Sequence, residues 1–343
     1  MIIDSLAPAK TEARERTVAP SRPIEERQAR DLPYEIFLRE YVQAKRPLIV
    51  RNATPAWPAL SKWTPEFFKR QFPSKMVQVS YDEQLSFSDF IDGVLASTEE
   101  KPGPYMYRLF LHEHLPEVLA DVSPPNPYAF PRRYASPLMM EYWRRPDGYL
   151  KLLIGGVGGR FPVMHFDGED AHATITEIYG DKEFIVYAPE DTPYLYPSPK
   201  RANHSLVDDP RNQDLQKFPL LAKATQFRGL LGPGDMVFVP CRWWHTARAL
   251  SPSISVGMNT LDDSNWRGFV ADVCGPISPR PRQLLKRMYL EGLGPVLSLL
   301  EGVQEKFPRL AERLAVPRML APNSSAVAPD PSLSPLQIKV PTG

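Results

Sequence analysis

Gly232-Pro233-Gly234-Asp235 followed by Met236-Val237-Phe238-Val239 is a glycine-proline turn feeding a short apolar strand. Units of the same kind lie on both sides of it. Upstream, Phe184-Ile185-Val186-Tyr187 is β-branched and aromatic, 173–178 alternates through Thr174-Ile175-Thr176, and 150–154 is apolar and runs into a glycine cluster. Downstream, 253–258 closes the series. Short strands separated by turn signals predict an antiparallel sandwich or barrel over 150–260.

The flanks read differently. Residues 31–150 are mixed. A helix is expected over 34–42, a second over 66–72 behind the Thr64-Pro65 start signal, and a third over 86–95, where Ser86 and Asp89 resemble a capping box. A further helix is expected to open at Ser136-Pro137 and run to 143, and short strands at 47–50 and 76–79. Beyond 264 the leucine spacing predicts helices over 283–290 and 296–303 that stop near Gly or Pro. Residues 1–30 and 321–343 are rich in proline or charge, lack periodicity and read as flexible tails. The expected organisation is a domain over 31–262, with an α+β elaboration at 31–145 and a β core at 146–262. A helical region at 263–320 follows it.

Bulk composition excludes several function classes. A net charge of +1 gives no electrostatic case for nucleic-acid or membrane binding. No apolar run reaches membrane-spanning length. The 2 cysteines, Cys241 and Cys274, cannot build a disulfide framework, so the chain reads as cytoplasmic. With 39 prolines in 343 residues, turns and short strands are favoured over long helices.

The chemistry-bearing residues stand inside the β region. In Val163-Met164-His165-Phe166-Asp167, the strand period of two points His165 and Asp167 to one face. Far downstream, Trp243-Trp244-His245 supplies a second imidazole. Two imidazoles and one carboxylate are the donor set of the facial triad that holds non-haem Fe(II) with open positions. A His-x-Asp alone is common by chance, and a lone strand histidine is more often structural. Gly180-Asp181-Lys182 opens the next strand, and Asn259 ends the last one. His112-Glu113-His114 and the Gly155-Gly156-Val157-Gly158-Gly159 cluster fit poorly as alternatives. The first precedes Leu115-Pro116, and the second lacks the third glycine and the βαβ unit of a dinucleotide loop.

Taken together, Leu152-Leu153-Ile154-Gly155, the His-x-Asp, Tyr194-Leu195-Tyr196-Pro197 and the Gly-Pro-Gly-Asp to Trp-Trp-His segment resemble the JmjC and cupin-like Fe(II)/2-oxoglutarate hydroxylases. The resemblance is strongest to the branch containing the factor-inhibiting-HIF asparaginyl hydroxylase and covers about residues 100–262. It implies a mainly β fold, a double-stranded β-helix or jelly roll, with flanking N-terminal α+β elements and C-terminal helices. It also implies Fe(II), 2-oxoglutarate as cosubstrate and O2. Carried over by position, His165, Asp167 and His245 are the metal ligands. Lys182 and Tyr105 meet the distal carboxylate of the cosubstrate, with Tyr107 as the competitor of Tyr105, and Asn259 contacts the cosubstrate or orders the iron-binding histidine. Two departures stand out. Pro162 occupies the place of a usual Thr, and Ala171 that of a usual Asn, so His172, Thr174 or Thr176 is expected to supply the lost polar contact; Thr174 is the candidate carried forward.

The reaction implied is hydroxylation of an unactivated C–H bond, with an amino-acid side chain of a protein or peptide favoured as substrate by family analogy. A small metabolite is the alternative substrate. A non-catalytic cupin-like binding protein and a cupin metalloenzyme that does not use 2-oxoglutarate are the alternative functions; the intact triad speaks against the first and Lys182 against the second. By the same analogy the C-terminal helices form a homodimer, the alternative being that they pack on their own barrel.

Overall fold

The computed structural model describes residues 20–79, 83–136, 138–139, 150–211, 213–275 and 280–306. The strands in chain order are β1 Ser21–Pro23, β2 Glu25–Gln28, β3 Leu48–Arg51, β4 Met76–Gln78, β5 Gln84–Ser86, β6 Tyr105–Phe110, β7 Lys151–Gly155 and β8 His172–Tyr179. They continue as β9 Lys182–Tyr187, β10 Pro197–Ser198, β11 Arg201–Ser205, β12 Gln226–Leu231, β13 Met236–Val239, β14 Trp244–Ala249 and β15 Ser253–Thr260.

Two sheets carry the architecture. A 4-stranded sheet has the order β1-β12-β9-β14, and a 7-stranded sheet the order β2-β3-β13-β8-β15-β7-β6. Sequence neighbours β8 and β9 lie in different sheets, as do β13 and β14, so the chain crosses between layers at the Gly180 turn and again after Val239. This is a jelly roll of the cupin-like kind. Its inward positions alternate along each strand. Ala173 and Ile175 of β8 meet Phe184 and Val186 of β9 and Val237 and Val239 of β13 in one apolar cluster. Each large side chain buried there contributes about 1.5–3 kcal/mol. Lys182 shares the parity of Phe184 and Val186; His245 shares that of Ala247, which packs on the same cluster.

The N-terminal elaboration covers the outer face of the large sheet. Thr64 accepts from Phe67 N–H and caps helix Pro65–Gln71, with Pro65 in the first turn. Ser86 accepts from Asp89 N–H and caps helix Phe87–Leu95. Phe68, Phe87 and Phe90 are buried there against Leu152, Ile154 and Ile254, the outward residues of β7 and β15.

Three expectations need correction or fall outside the described chain. Residues 21–28 were expected within a flexible tail, yet they form β1 and β2, which pair in parallel with β12 and β3. Both are edge strands that expose most of their side chains, so they show no alternation; Ile24 between them is buried in the barrel cluster. The two expected C-terminal helices are one, Pro281–Lys306, which continues through Pro295. Trp266 clamps it there: its indole N–H donates to Leu290 O at 2.9 Å, and a Cβ on Gly294 would fall 2.6 Å from its ring. Most of the helix expected from Ser136-Pro137 to 143 lies outside the described residues, as do the tails at 1–19 and 321–343; Leu138 and Met139, which are described, form a turn and a bend. No helix among the described residues is long and apolar enough to cross a membrane.

Candidate metal centre

His165 and His245 are brought together by the backbone before any side chain is considered. His165 N–H donates to His245 O at 3.1 Å and His245 N–H to His165 O at 2.7 Å, an isolated antiparallel bridge between the loop after Gly159 and β14. The two imidazole centroids lie 4.5 Å apart. Each ring is oriented by its own chain: His165 Nδ1 is 3.1 Å from Val163 O, and His245 Nδ1 is 3.1 Å from Trp243 O. A carbonyl only accepts, so each Nδ1 carries the proton and each Nε2 presents a lone pair.

Asp167 completes the set. Its Oδ1 lies 3.4 Å from His165 Nε2 and 4.0 Å from His245 Nε2, and one donor atom from each residue lies within 4.8 Å of the others. Its second oxygen is held from behind, since Asn259 Nδ2 donates to Asp167 Oδ2 at 2.6 Å and Lys151 Nζ donates to Asn259 Oδ1 at 2.6 Å. Burial works against the Asp167 charge, but its neighbours His165, His245 and Lys151 outweigh it and hold the carboxyl well below its usual range. Burial, aided by His165, pushes His245 down to about 4. Near neutral pH the group is therefore one carboxylate and neutral His245, the protonation states that metal coordination requires. Two nitrogens and one oxygen suit a divalent first-row metal such as Fe(II) and are too few oxygens for Ca²⁺.

Deeper in the barrel, Lys182 and Glu177 are both fully buried, with Nζ 3.4 Å from Oε2. Lys182 also donates to Ser255 Oγ. Its Nζ lies 5.6 Å from the centre of the Tyr105 ring, and Tyr105 in turn packs on Gly155. Tyr107 instead reaches Phe161 at 4.5 Å, and Phe161 stacks on His165 at 4.1 Å. The hydroxyls of Ser253 and Ser255 also face Glu177.

The structure therefore brings His165, Asp167 and His245 into one group and Lys182 and Tyr105 into a second. Asn259 stands behind the carboxylate ligand rather than against a histidine ring. Thr174 belongs to neither group. It sits an odd number of residues from Glu177 on β8 and so faces the opposite way; its hydroxyl donates to Met258 O at 3.1 Å. His172 and Thr176 share that outward face. His172 accepts from Cys241 N–H at 2.8 Å and meets Asp262 Oδ2 at 3.1 Å, and Asn126 donates to Thr176 at 3.4 Å. None of His172, Thr174 and Thr176 thus replaces the polar groups missing at Pro162 and Ala171.

Lys151, Glu177, His204 and Phe161 were missed from the sequence. His204 pairs with His165 across a second bridge, its ring 6.2 Å away. Lys151 and Glu177 had a usable signal: each is a charged residue in an otherwise apolar or neutral strand at the parity that faces the barrel interior.

Comparison with known proteins adds an independent view. Residues 33–261 match the model of the cupin-like domain. The chain is 27% identical over 235 residues to lysine-specific demethylase 8 of Danio rerio, covering 65% of this chain and 55% of that protein. It is 26% identical over 256 residues to tRNA wybutosine-synthesizing protein 5 of Gallus gallus, covering 69% and 76%. It is 24% identical over 263 residues to the human bifunctional peptidase and (3S)-lysyl hydroxylase JMJD7, covering 64% and 78%. The chain spans about half the length of several curated relatives it matches.

Proposed function

Because the chain belongs to the cupin-like domain family, we propose that it is an Fe(II)- and 2-oxoglutarate-dependent dioxygenase that hydroxylates an unactivated C–H bond on an amino-acid side chain of a protein or peptide. The observation that carries this reading is the convergence of His165, Asp167 and His245 on one point at the barrel mouth. Relatives named as a lysine demethylase and a lysyl hydroxylase support the choice of a side-chain substrate. The resemblance to the asparaginyl hydroxylase branch supports hydroxylation as the reaction. The proposed catalytic unit runs over 31–262, with β1 and β2 completing its sheet edges.

Fe(II), when bound, supplies O2 activation coupled to oxidative decarboxylation of 2-oxoglutarate to succinate and CO2. The chain's own part is positioning. His165 Nε2, His245 Nε2 and Asp167 Oδ1 would hold the metal. Val163 O and Trp243 O fix the imidazole tautomers, and Asn259 keeps Asp167 from rotating its free oxygen into the site. Lys182 is the cation for the distal carboxylate of 2-oxoglutarate, with Tyr105 beside it. Phe161 and Phe166 wall the mouth; Phe166 is wedged against Trp244 with ring centres 4.9 Å apart. Such walls orient a substrate carbon and exclude water.

The same reading includes a homodimer through helix Pro281–Lys306, which exposes Leu284, Leu285, Met288, Tyr289 and Leu299. It also includes a cytoplasmic location, in keeping with two free cysteines. The direct test is anaerobic reconstitution with Fe(II) and 2-oxoglutarate, which is expected to give a visible charge-transfer band and, on admitting O2, succinate. Absence of both from the wild-type chain, with a His165→Ala variant indistinguishable from it, refutes the proposal.

A further inference from the structure

Lys182 is the expected cation for a dicarboxylate, but in this chain it is already neutralised. Glu177 faces it across 3.4 Å, and both side chains are fully buried. The remaining surroundings of Glu177 offer no second cation among the described residues. From β9 comes Lys182 and from β6 Tyr105; from β15 come the hydroxyls of Ser253 and Ser255. From the turn before β13 comes Asp235, whose carbonyl accepts from Glu177 N–H at 2.9 Å while its carboxylate is held by Arg51 at 2.5 Å. The enclosure thus holds one positive and one negative charge.

A second carboxylate entering it leaves one buried negative charge without a partner, and an uncompensated buried charge is strongly disfavoured. Resting on the 2-oxoglutarate reading above, we infer that Glu177 takes up one proton from solvent when the distal carboxylate of 2-oxoglutarate binds beside Lys182. Charge then balances: the proton adds to a Glu177 oxygen, Lys182 transfers its pairing to the ligand, and the neutral acid gains an O–H to donate. The Ser253 and Ser255 hydroxyls beside Glu177 can accept as well as donate, so they can turn to receive the added proton. Burial already raises the affinity of Glu177 for a proton, with the charge of Lys182 opposing it. Glu177 is therefore a specificity-determining residue that makes cosubstrate affinity depend on pH.

The test is titration calorimetry of 2-oxoglutarate into the full chain loaded with redox-inert Mn(II), in buffers of different ionisation heat. The wild type is expected to take up a proton, close to one at the pH of greatest uptake, and its Kd to rise with pH by up to roughly tenfold per pH unit. E177Q is expected to lose both the uptake and the slope, and to bind more tightly than wild type at the alkaline end. Binding by the wild type without proton uptake overturns the role of Glu177 and leaves the 2-oxoglutarate reading standing; that measurement needs no variant. A slope that persists in a folded E177Q overturns it as well. Failure of both wild type and E177Q to bind 2-oxoglutarate at any pH overturns the inference together with the reading beneath it.

Discussion

The rim of the barrel and its interior treat charge in opposite ways. At the rim, His165, Asp167 and His245 turn two lone pairs and a carboxylate oxygen toward one point, and no cation among the described residues reaches that point; Lys151 meets the far oxygen through Asn259. In the interior, Lys182 and Glu177 cancel each other. A cluster of donors without an internal cation is poised for an external one, whereas a self-neutralised pair accepts an anion only if a proton accompanies it. The contrast is in keeping with the proposed function, which places the metal at the rim and the dicarboxylate in the interior.

The sharpest way to break this contrast is to remove a rim donor. Asp167→Ala is expected to abolish Fe(II) binding and succinate formation while the protein stays folded, as read by metal analysis and product assay. The interior responds in stability instead. Lys182→Ala leaves Glu177 buried and unpaired and is expected to cost about 3–5 kcal/mol in urea unfolding. Pairing it as Lys182→Met with Glu177→Gln removes both charges and is expected to recover most of that loss.

Acid is expected to act on the rim. In the metal-free protein His245 lies near 4, below its ordinary 6.5. The unfolded chain therefore binds the extra proton between these values, so the stability contributed is complete above about pH 6.5 and lost as pH falls toward 4. The size is at most about 3 kcal/mol. A His245→Gln variant is expected to show a shallower acid limb in a pH series of melts. The smallest expected effect is that of Asn259→Ala, which frees the second oxygen of Asp167 and strands Lys151. It is expected to weaken Fe(II) binding by about 10–100-fold without eliminating it. An Asn259→Ala variant with unchanged metal affinity would show that Asp167 is held by other means.

The rim was legible in the sequence because His-x-Asp needs only the strand period and His245 follows a recognisable turn and strand. The interior was not. Thr174 was carried forward as a stand-in for the polar groups missing at Pro162 and Ala171, yet β8 is buried on both faces, and alternation there does not say which face lines the barrel. Thr174 and Thr176 are polar residues satisfied on the outer side by Met258 O and Asn126, while Glu177, in the same run, faces Lys182. A one-residue shift in register exchanges these faces, and pairing with β13 and β15 fixes it. Edge strands such as β1 and β2 carry almost no pattern because they bury almost nothing but Ile24. The last helix continues through Pro295 and packs there on Trp266, a contact that no local signal announces.

The central claim is that three rim side chains hold one redox metal with open positions. It is tested most directly by titrating Fe(II) into the full chain under argon with 2-oxoglutarate present and following the visible spectrum. Saturation at one Fe(II) per chain, with a charge-transfer band that needs both components and vanishes in Asp167→Ala, is the predicted result. A spectrum unchanged by Fe(II), or a band that survives loss of Asp167, would contradict it.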